Sequence, residues 1–407
     1  MLRPLFIFVA FAASSASACL AAGGWATGVD LTVDGSRVLS GTASGGEALH
    51  GAAIAHAEWT SPTSPETEAG GPKHRFYVSA LALTGRGPTG RSLGDFFGAS
   101  NIEGHESARL YSWWFETARG AWSLRAGALL ADDEFAGTDV GGNFLNSAFG
   151  WPAFISANTV NTGPAFYVAA PGLRLDYTWN ETTTWRAGIF DGDSFDSPTG
   201  DPEITRHGLH YELGGDQGWF AITELTFAGP GALQFKTGLW LHTATFADVR
   251  DDAQGQPIAL SGASPAEHDL NYGFYASVEK TLTGQAGEPG HVAAYFRTGL
   301  SPADRNALGW AFDTGLAWTG PCPRRPQDVL ALGLTHARFS SHFSDHARLT
   351  DPATPAPDFE HAVELTYTFI LSERCSVQPD LQYIRHPGGS LAQRDALIFL
   401  TRFTATF

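Results

Sequence analysis

Apolar and polar residues alternate along much of this chain, and the clearest example is residues 395–407. Phe399, Phe403 and Phe407 share one face of this segment, whereas Arg402 and Thr404 lie on the other. A two-residue period is that of a β-strand. An aromatic face opposite a face that carries an arginine is typical of a strand with lipid on one side and a water-filled lumen on the other.

The same alternation recurs in sixteen segments of about ten residues, which is the length a tilted strand needs to cross a bilayer. Clusters of Gly, Pro, Asp, Asn and Ser separate them. The segments are 25–33, 51–59, 74–83, 108–117, 121–129, 171–179, 184–191, 218–227, 232–242, 270–280, 291–299, 308–318, 328–338, 360–371, 376–386 and 395–407. Short and long connections also alternate, apart from a long one at 60–73 on the short-turn side. The pattern predicts an all-β fold, a 16-stranded antiparallel transmembrane β-barrel.

Domain boundaries follow from this pattern. Residues 1–18 carry one basic residue, a short apolar run and a final Ala16-Ser17-Ala18, which predicts a secretory signal peptide. Residues 19–407 then form a single barrel, of which 25–75 is the least regular part. The longest connection, 130–170, is expected to fold inward and to constrict the channel. A phenylalanine at the end of the last strand, Phe407, resembles the signal by which outer-membrane barrels are recognised for assembly.

Composition supports a membrane barrel and excludes some partners. Charged residues make up 16% of the chain, below the usual ~25% of soluble proteins, whereas aromatic residues reach 12%. The net charge of −17 argues against nucleic acid as a partner. Cys322 and Cys375 fall in short turns on the same rim, so a disulfide between them is a candidate in an oxidising compartment.

Candidate site residues come from the lumen face and from the long third loop. Strand alternation places the following on the lumen side: Arg125, Arg174, Asp176, Arg186, Glu224, Arg297 and Arg402. The third loop adds Asp132, Asp133, Glu134, Asn146 and Trp151. A basic wall opposite an acidic loop would set a transverse field, and arginine forks with an aromatic ring suit sugar hydroxyls and ring faces. The alternatives are that each arginine forms an ordinary ion pair in the wall and that Trp151 anchors the loop.

Other functions find less support in the residues. Small inward residues such as Gly309, Gly315 and Gly333 are expected to leave room for water, which argues against a plugged structural barrel. No Ser/His/Asp set lies at one depth on neighbouring strands, so we do not expect an enzyme. No cofactor or metal is predicted, because His342 and His346 lie in an outer loop where no helix is expected to align them.

Several segments together resemble one protein family. They are Gly94–Glu103, Ala131–Phe135, Phe144–Pro152, Pro171–Leu175, Ala187–Gly192 and Pro379–Ile384. From about residue 76 to the end, the chain resembles the OprB-type carbohydrate-selective porins. The resemblance implies a passive bacterial outer-membrane channel for glucose and similar sugars. Its surroundings would be outer-membrane lipid, lipopolysaccharide and the barrel-assembly machinery, and it would act as a monomer or homotrimer. The alternative is a general, weakly selective diffusion porin for small hydrophilic solutes.

Overall fold

The computed structural model describes residues 23–62 and 70–407, so the predicted signal peptide at 1–18 lies outside the described residues. Eighteen strands are found there. In chain order they are β1 Gly24–Ser40, β2 Glu47–Thr60, β3 Lys73–Arg86, β4 Ser107–Arg119, β5 Trp122–Leu129, β6 Ala170–Asn180, β7 Thr183–Asp191, β8 Trp219–Gly229, β9 Leu233–His242, β10 Phe246–Asp252, β11 Pro265–His268, β12 Asn271–Thr283, β13 Val292–Leu300, β14 Leu308–Thr319, β15 Val329–Phe339, β16 Phe359–Ser372, β17 Cys375–Arg385 and β18 Ala396–Thr406.

Sixteen of these described strands close into one antiparallel barrel, which confirms the predicted fold. Each barrel strand pairs with its neighbours along the chain, and β1 pairs with β18 to complete the circle. The strands β10 and β11 form a separate hairpin within the loop between β9 and β12. Three α-helices are described, namely α1 Ala153–Ser156, α2 Ile258–Ser261 and α3 Ser341–Thr350. None of the described helices is both long and apolar enough to span a membrane.

The least regular part of the predicted barrel contains two complete strands. β1 and β2 pair continuously from Gly24 opposite Thr60 to Arg37 opposite Glu47, well beyond the predicted 25–33 and 51–59. Their inward faces carry buried polar residues such as Asp34 and His50, which interrupt the apolar alternation that sequence reasoning follows. The two strands therefore extend beyond the residues that show the apolar alternation.

Side chains alternate between the two faces of the wall as predicted. On β16, Leu365 is 47% exposed toward the outside, whereas its neighbour Glu364 is fully buried inside. Leu308 is an exception, because strict two-residue alternation would place it on the outer face with Trp310. A register shift between these two residues turns Leu308 inward, where it is fully buried.

Two features of the outer loops differ from the prediction. The hairpin β10–β11 lies in a segment expected to be an irregular loop, and α3 lies where no helix was expected. The Oγ of Ser340 accepts the backbone N–H of Phe343 at 3.2 Å and so caps α3 at its start. His342 and His346 therefore stand one helical turn apart.

Residues 130–169, here called loop three, fold into the barrel and contact the far wall. The backbone N–H of Ala136 donates to Glu224 on β8, and that of Leu145 donates to Glu364 on β16. The buried aromatic residues of the loop, among them Phe144, Phe149 and Phe154, form much of the apolar core inside the barrel.

Inward glycines of the wall receive these aromatic rings. A Cβ added to Gly315 would lie 2.7 Å from Phe144, and one added to Gly333 would lie 2.7 Å from Phe149. Ala311 and Ala331, which share this face, are also buried. The expectation that the small inward residues leave room for water is therefore wrong at these positions. They leave room for loop three.

We expect Gly299→Ala to displace loop three, because its new Cβ would lie 2.3 Å from Phe154. Overpacking of this kind costs about 1–3 kcal/mol. Gly309→Ala is the matched control, since its Cβ would meet Ser340 at an ordinary 3.6 Å. Thermal unfolding and limited proteolysis of the folded barrel in detergent measure both effects. Equal stability and equal loop protection in the two variants would contradict the packing argument.

Candidate functional site

Loop three places one carboxylate among three arginines of the wall. Arg125 and Arg174 stand directly opposite each other on β5 and β6. Arg186 follows on β7. Glu134 of loop three forms a salt bridge with Arg125, another with Arg174 at 2.6 Å, and a longer one with Arg186 at 3.5 Å. Two like charges facing each other across a sheet repel, so the carboxylate is what allows these arginines to stand together.

The charges continue sideways along the wall in alternating sign. Glu116 on β4 binds both Arg125 and Arg174 at 2.8 Å and lies 3.6 Å from Arg75 on β3. Arg75 in turn binds Glu58 on β2 at 2.6 Å. At the other end, Asp176 holds Arg186 at 2.7 Å. We call this group the charge row, and its members are Glu58, Arg75, Glu116, Arg125, Glu134, Arg174, Asp176 and Arg186.

An aromatic surface lies against the charge row. The guanidinium carbon of Arg125 is 3.7 Å from the centre of the Trp114 ring, and that of Arg75 is 5.3 Å away. Tyr77 stacks on Trp114 with 5.3 Å between ring centres, and His56 stacks on Tyr77 at 6.2 Å. We call His56, Tyr77 and Trp114 the aromatic row. The guanidinium of Arg125 thus covers the ring of Trp114, which is buried, while Tyr77 is partly exposed.

The two rows are not equally accessible along their length. The side chain of Arg75 is 40% exposed and that of Arg186 is 30% exposed, whereas Arg174 between them is almost buried. A solute inside the barrel can therefore touch the ends of the charge row. The buried centre holds loop three against the wall.

Two of the predicted lining residues anchor the loop instead. Arg297 has no exposed side-chain surface; it pairs with Asp313 at 3.0 Å and donates to the loop-three carbonyls of Ala136, Ala148, Phe149 and Gly150. Glu224 accepts the backbone N–H of Ala136 at 2.8 Å and the hydroxyl of Tyr275 at 2.9 Å. We therefore withdraw both from the proposed channel lining.

Asn146 and Trp151 are also buried within the packed loop. The Oδ1 atom of Asn146 accepts the N–H of Ala148 at 3.1 Å, and its amide donates to Gln382 of the wall at 3.1 Å. The indole N–H of Trp151 donates to the carbonyl of Thr162 at 2.9 Å. For Trp151 this geometry favours the anchoring alternative over sugar stacking.

Asp132 does not contribute the loop charge that the transverse-field prediction assigned to it. One oxygen accepts the N–H of Phe166 at 2.8 Å, and the other is buried with no hydrogen-bond partner in the described part of the chain. Burial, assisted by the neighbouring Asp133, raises the pKa of Asp132 to about 8. Asp133 itself is exposed. Glu134 therefore supplies the charge that meets the basic wall.

Arg402 lies apart from the charge row. It binds Asp34 through Nε and Nη2, both at 2.8 Å, and so joins β18 to β1. Phe407 also helps to join the end of the chain to β1, because its backbone exchanges hydrogen bonds of 3.0 and 2.9 Å with Val29.

The predicted disulfide is not formed. Within the described residues, Cys322 and Cys375 are both free. Cys322 precedes β15 whereas Cys375 begins β17, so about two strand spacings of ~4.8 Å separate them. A disulfide needs Cα atoms within about 7 Å.

Sequence reasoning missed several members of the site. Trp114 shares the inward parity of Glu116 on β4, and Arg75 shares that of Tyr77 on β3, so alternation alone was sufficient to place them. Glu360 and Glu364 accept backbone N–H groups of Phe96 and Leu145 respectively. No local sequence signal marks those two glutamates as loop anchors.

Comparisons with known proteins agree with this geometry. The family model described as "Carbohydrate-selective porin, OprB family" matches residues 66–407. Porin B of Pseudomonas aeruginosa is 24% identical over 283 residues, which cover 65% of this chain and 57% of Porin B, less than two thirds of that relative.

Solved structures share the fold at lower identity. The high-pH structure of Pseudomonas putida OprB aligns with a TM-score of 0.80 at 19% identity and covers 94% of each chain. The outer-membrane channel DcaP of Acinetobacter baumannii aligns with a TM-score of 0.56 at 10% identity, covering 95% of this chain and 98% of DcaP.

The raised pKa of Asp132 makes the stability of loop three fall with rising pH. An acid with a higher pKa in the folded protein holds its proton more tightly there, so the folded state loses stability as pH rises from the ordinary range of a carboxyl group up to about 8 and loses no more above it. Asp132→Asn should remove this loss, because the amide oxygen still accepts the N–H of Phe166 and carries no charge. Hydrogen exchange of residues 130–169 at pH 6 and pH 9 measures the difference. Asp139→Asn, at an exposed acid of the same loop, should behave like the wild type. An unchanged pH dependence in Asp132→Asn would show that the carboxyl is not the cause.

Arg297→Gln should release loop three. The loop carbonyls lose their donors and Asp313 stays buried without its partner, a change that typically costs about 3–5 kcal/mol. We expect larger and noisier single-channel currents in planar bilayers. Arg338→Gln is the control, because it removes an exposed arginine of β15 whose salt-bridge partner is Asp358 and not loop three. Matching currents in the two variants would refute the anchoring role.

Proposed function

The chain belongs to the OprB family of carbohydrate-selective porins, and on that premise we propose that it is a passive outer-membrane channel for glucose and similar sugars. Its barrel belongs in the bacterial outer membrane, and its family and fold are those of a channel rather than of an enzyme. We further propose that lipid and lipopolysaccharide surround it, that the barrel-assembly machinery inserts it, and that it acts as a monomer or homotrimer.

The observation that carries the sugar proposal is the contact between the charge row and the aromatic row. A pyranose ring offers adjacent hydroxyls at its edge and C–H groups on its faces. Arg75, whose side chain is 40% exposed, presents a planar fork that suits vicinal hydroxyls. Tyr77, which is partly exposed, presents an apolar ring that suits the C–H groups, and the buried Trp114 stacks on it from within the wall. Arg75 and Tyr77 are both on β3, two residues apart and so on the same face of the strand.

The balance of charge supports a neutral solute. The charge row contains four arginines and four carboxylates, each arginine in a salt bridge with at least one of the carboxylates. Fixed partners keep the donors in place before a solute arrives, which lowers the cost of ordering them. Because these donors are already paired, they bind a sugar weakly, and a channel needs sites that release what they bind.

The alternative is a general diffusion porin for small hydrophilic solutes. Such a channel needs an aqueous opening and a polar wall, but it has no use for a stacked aromatic surface against the arginines. The aromatic row therefore favours the sugar channel, and the ratio of permeation rates separates the two.

We expect liposomes that contain the protein to swell faster in glucose than in tetraethylene glycol, an uncharged non-sugar of similar size. Tyr77→Ala should lower this ratio about two- to tenfold, since an aromatic contact contributes about 0.5–1.5 kcal/mol. Arg75→Gln should lower it as well. Arg338→Gln, which alters an exposed arginine outside the charge row, should leave it unchanged. Equal swelling rates for the wild type would establish the general diffusion porin. A normal ratio in Tyr77→Ala would place sugar recognition elsewhere.

A further inference from the structure

Three outer loops bring histidines and carboxylates together outside the barrel. The hairpin β10–β11 contributes Asp248, Asp251 and His268, the loop between β13 and β14 contributes Asp304, and α3 contributes His342. None of these residues belongs to the charge row, and the loops that carry them are separated by up to about a hundred positions in the chain. We call the five residues the rim cluster.

Asp248 is at the centre of the rim cluster and is almost fully buried. Its Oδ1 lies 3.8 Å from Nδ1 of His342, and its Oδ2 lies 3.1 Å from Nε2 of His268. Candidate ligand atoms of Asp248, Asp251 and His342 all lie within 4.8 Å of one another. Metal–ligand bonds of about 2.0–2.2 Å hold ligand atoms up to about 4.4 Å apart, so a shift of a few tenths of an ångström suffices.

Two polar atoms of this cluster lack hydrogen bonds. Nδ1 of His342 and Oδ1 of Asp251 are buried and accept or donate no hydrogen bond among the described residues, although Nε of Arg250 lies 3.6 Å from that oxygen. Buried polar atoms without partners are uncommon and require an explanation. Both atoms belong to the same group of three as Asp248, so one bound cation would satisfy both at once.

The local charge also favours a cation. Three carboxylates, Asp248, Asp251 and Asp304, are accompanied by two nearby arginines, Arg250 and Arg305. With neutral imidazoles the group keeps a net negative charge. The backbone N–H groups of Arg250 and Asp251 donate to Asp248 at 2.8 Å and fix its orientation, as outer-shell bonds do for metal-binding carboxylates.

We propose that Asp248, Asp251 and His342 bind one divalent transition-metal ion of the zinc class. An imidazole beside carboxylates suits zinc and its neighbours, whereas calcium and magnesium prefer sites made of oxygen alone. Asp248, His268 and Asp304 form a second group whose ligand atoms also lie within 4.8 Å of one another, but the atoms without hydrogen bonds belong to the first group. In this assignment His268 bonds to the second oxygen of Asp248 and orients it. The ion ties the hairpin β10–β11 to α3 at the outer rim.

The test is zinc titration of the full-length, untagged protein, folded in detergent and stripped with a chelator. Competition with a fluorescent zinc chelator should reveal one equivalent of Zn²⁺ per chain. His342→Ala should abolish saturable binding, whereas His268→Ala should weaken it by about 10–100-fold, the typical cost of losing an orienting partner. His346→Ala is the matched control one turn along α3, and it should bind as the wild type does.

One further variant and two further measurements make the outcome unambiguous. Asp248→Asn is a second variant that changes the shape of the side chain little. Heat-modified gel mobility shows that each variant is folded. Zinc should also protect residues 243–270 and 340–350 from protease in the wild type but not in His342→Ala. The proposal is overturned if no saturable binding occurs at one equivalent, if His342→Ala binds like His346→Ala, or if His268→Ala alone abolishes binding.

Discussion

The pairing of β1 with β18 is the interaction on which the rest of the structure depends. A membrane provides no water for unpaired backbone groups, so a sheet can cross it only when its two edges meet. Here they meet from Asp30 opposite Thr406 to Ser40 opposite Leu397. On the inner side of this strand pair, Arg402 of β18 forms a bidentate salt bridge with the fully buried Asp34 of β1 and so bonds the last strand to the first. Closure lets one face be apolar and the other polar in every strand.

Closure creates a second requirement, because loop three brings forty residues of non-strand backbone into the lumen. The wall meets this requirement with side chains. Glu224 and Glu364 accept backbone N–H groups of the loop, and Arg297 donates to four of its carbonyls. Inward glycines provide the space for its aromatic rings. The residues of the facing strands therefore determine the fold of loop three together with the residues of the loop itself.

This division explains what the sequence could predict. Sixteen strands were recognisable because a two-residue period extends over each of them, and Phe399 or Leu365 identified the outer face. Alternation gives the face of a residue but neither its depth nor its partner. The alternation places both Arg297 and Arg125 on the inward face, yet Arg297 is buried under loop three whereas Arg125 lies in the charge row. Partners such as Leu145 and Glu364 are more than two hundred positions apart, and no local pattern connects them. The hairpin β10–β11 and the rim cluster were missed for the same reason.

Accessibility, rather than residue type, separates the site from the scaffold. Arginine and glutamate serve both, but the fully buried Arg297 can contact only protein, whereas the exposed part of Arg75 is accessible to a solute beside Tyr77. The charge row is neutral, so the net charge of −17 resides elsewhere in the chain. A channel that selected solutes by charge would place its excess of one sign of charge at the constriction. This barrel places paired charges beside an aromatic ring there, and under the proposed function such an arrangement would discriminate by the pattern of hydroxyls and C–H surfaces, which is how one uncharged solute differs from another.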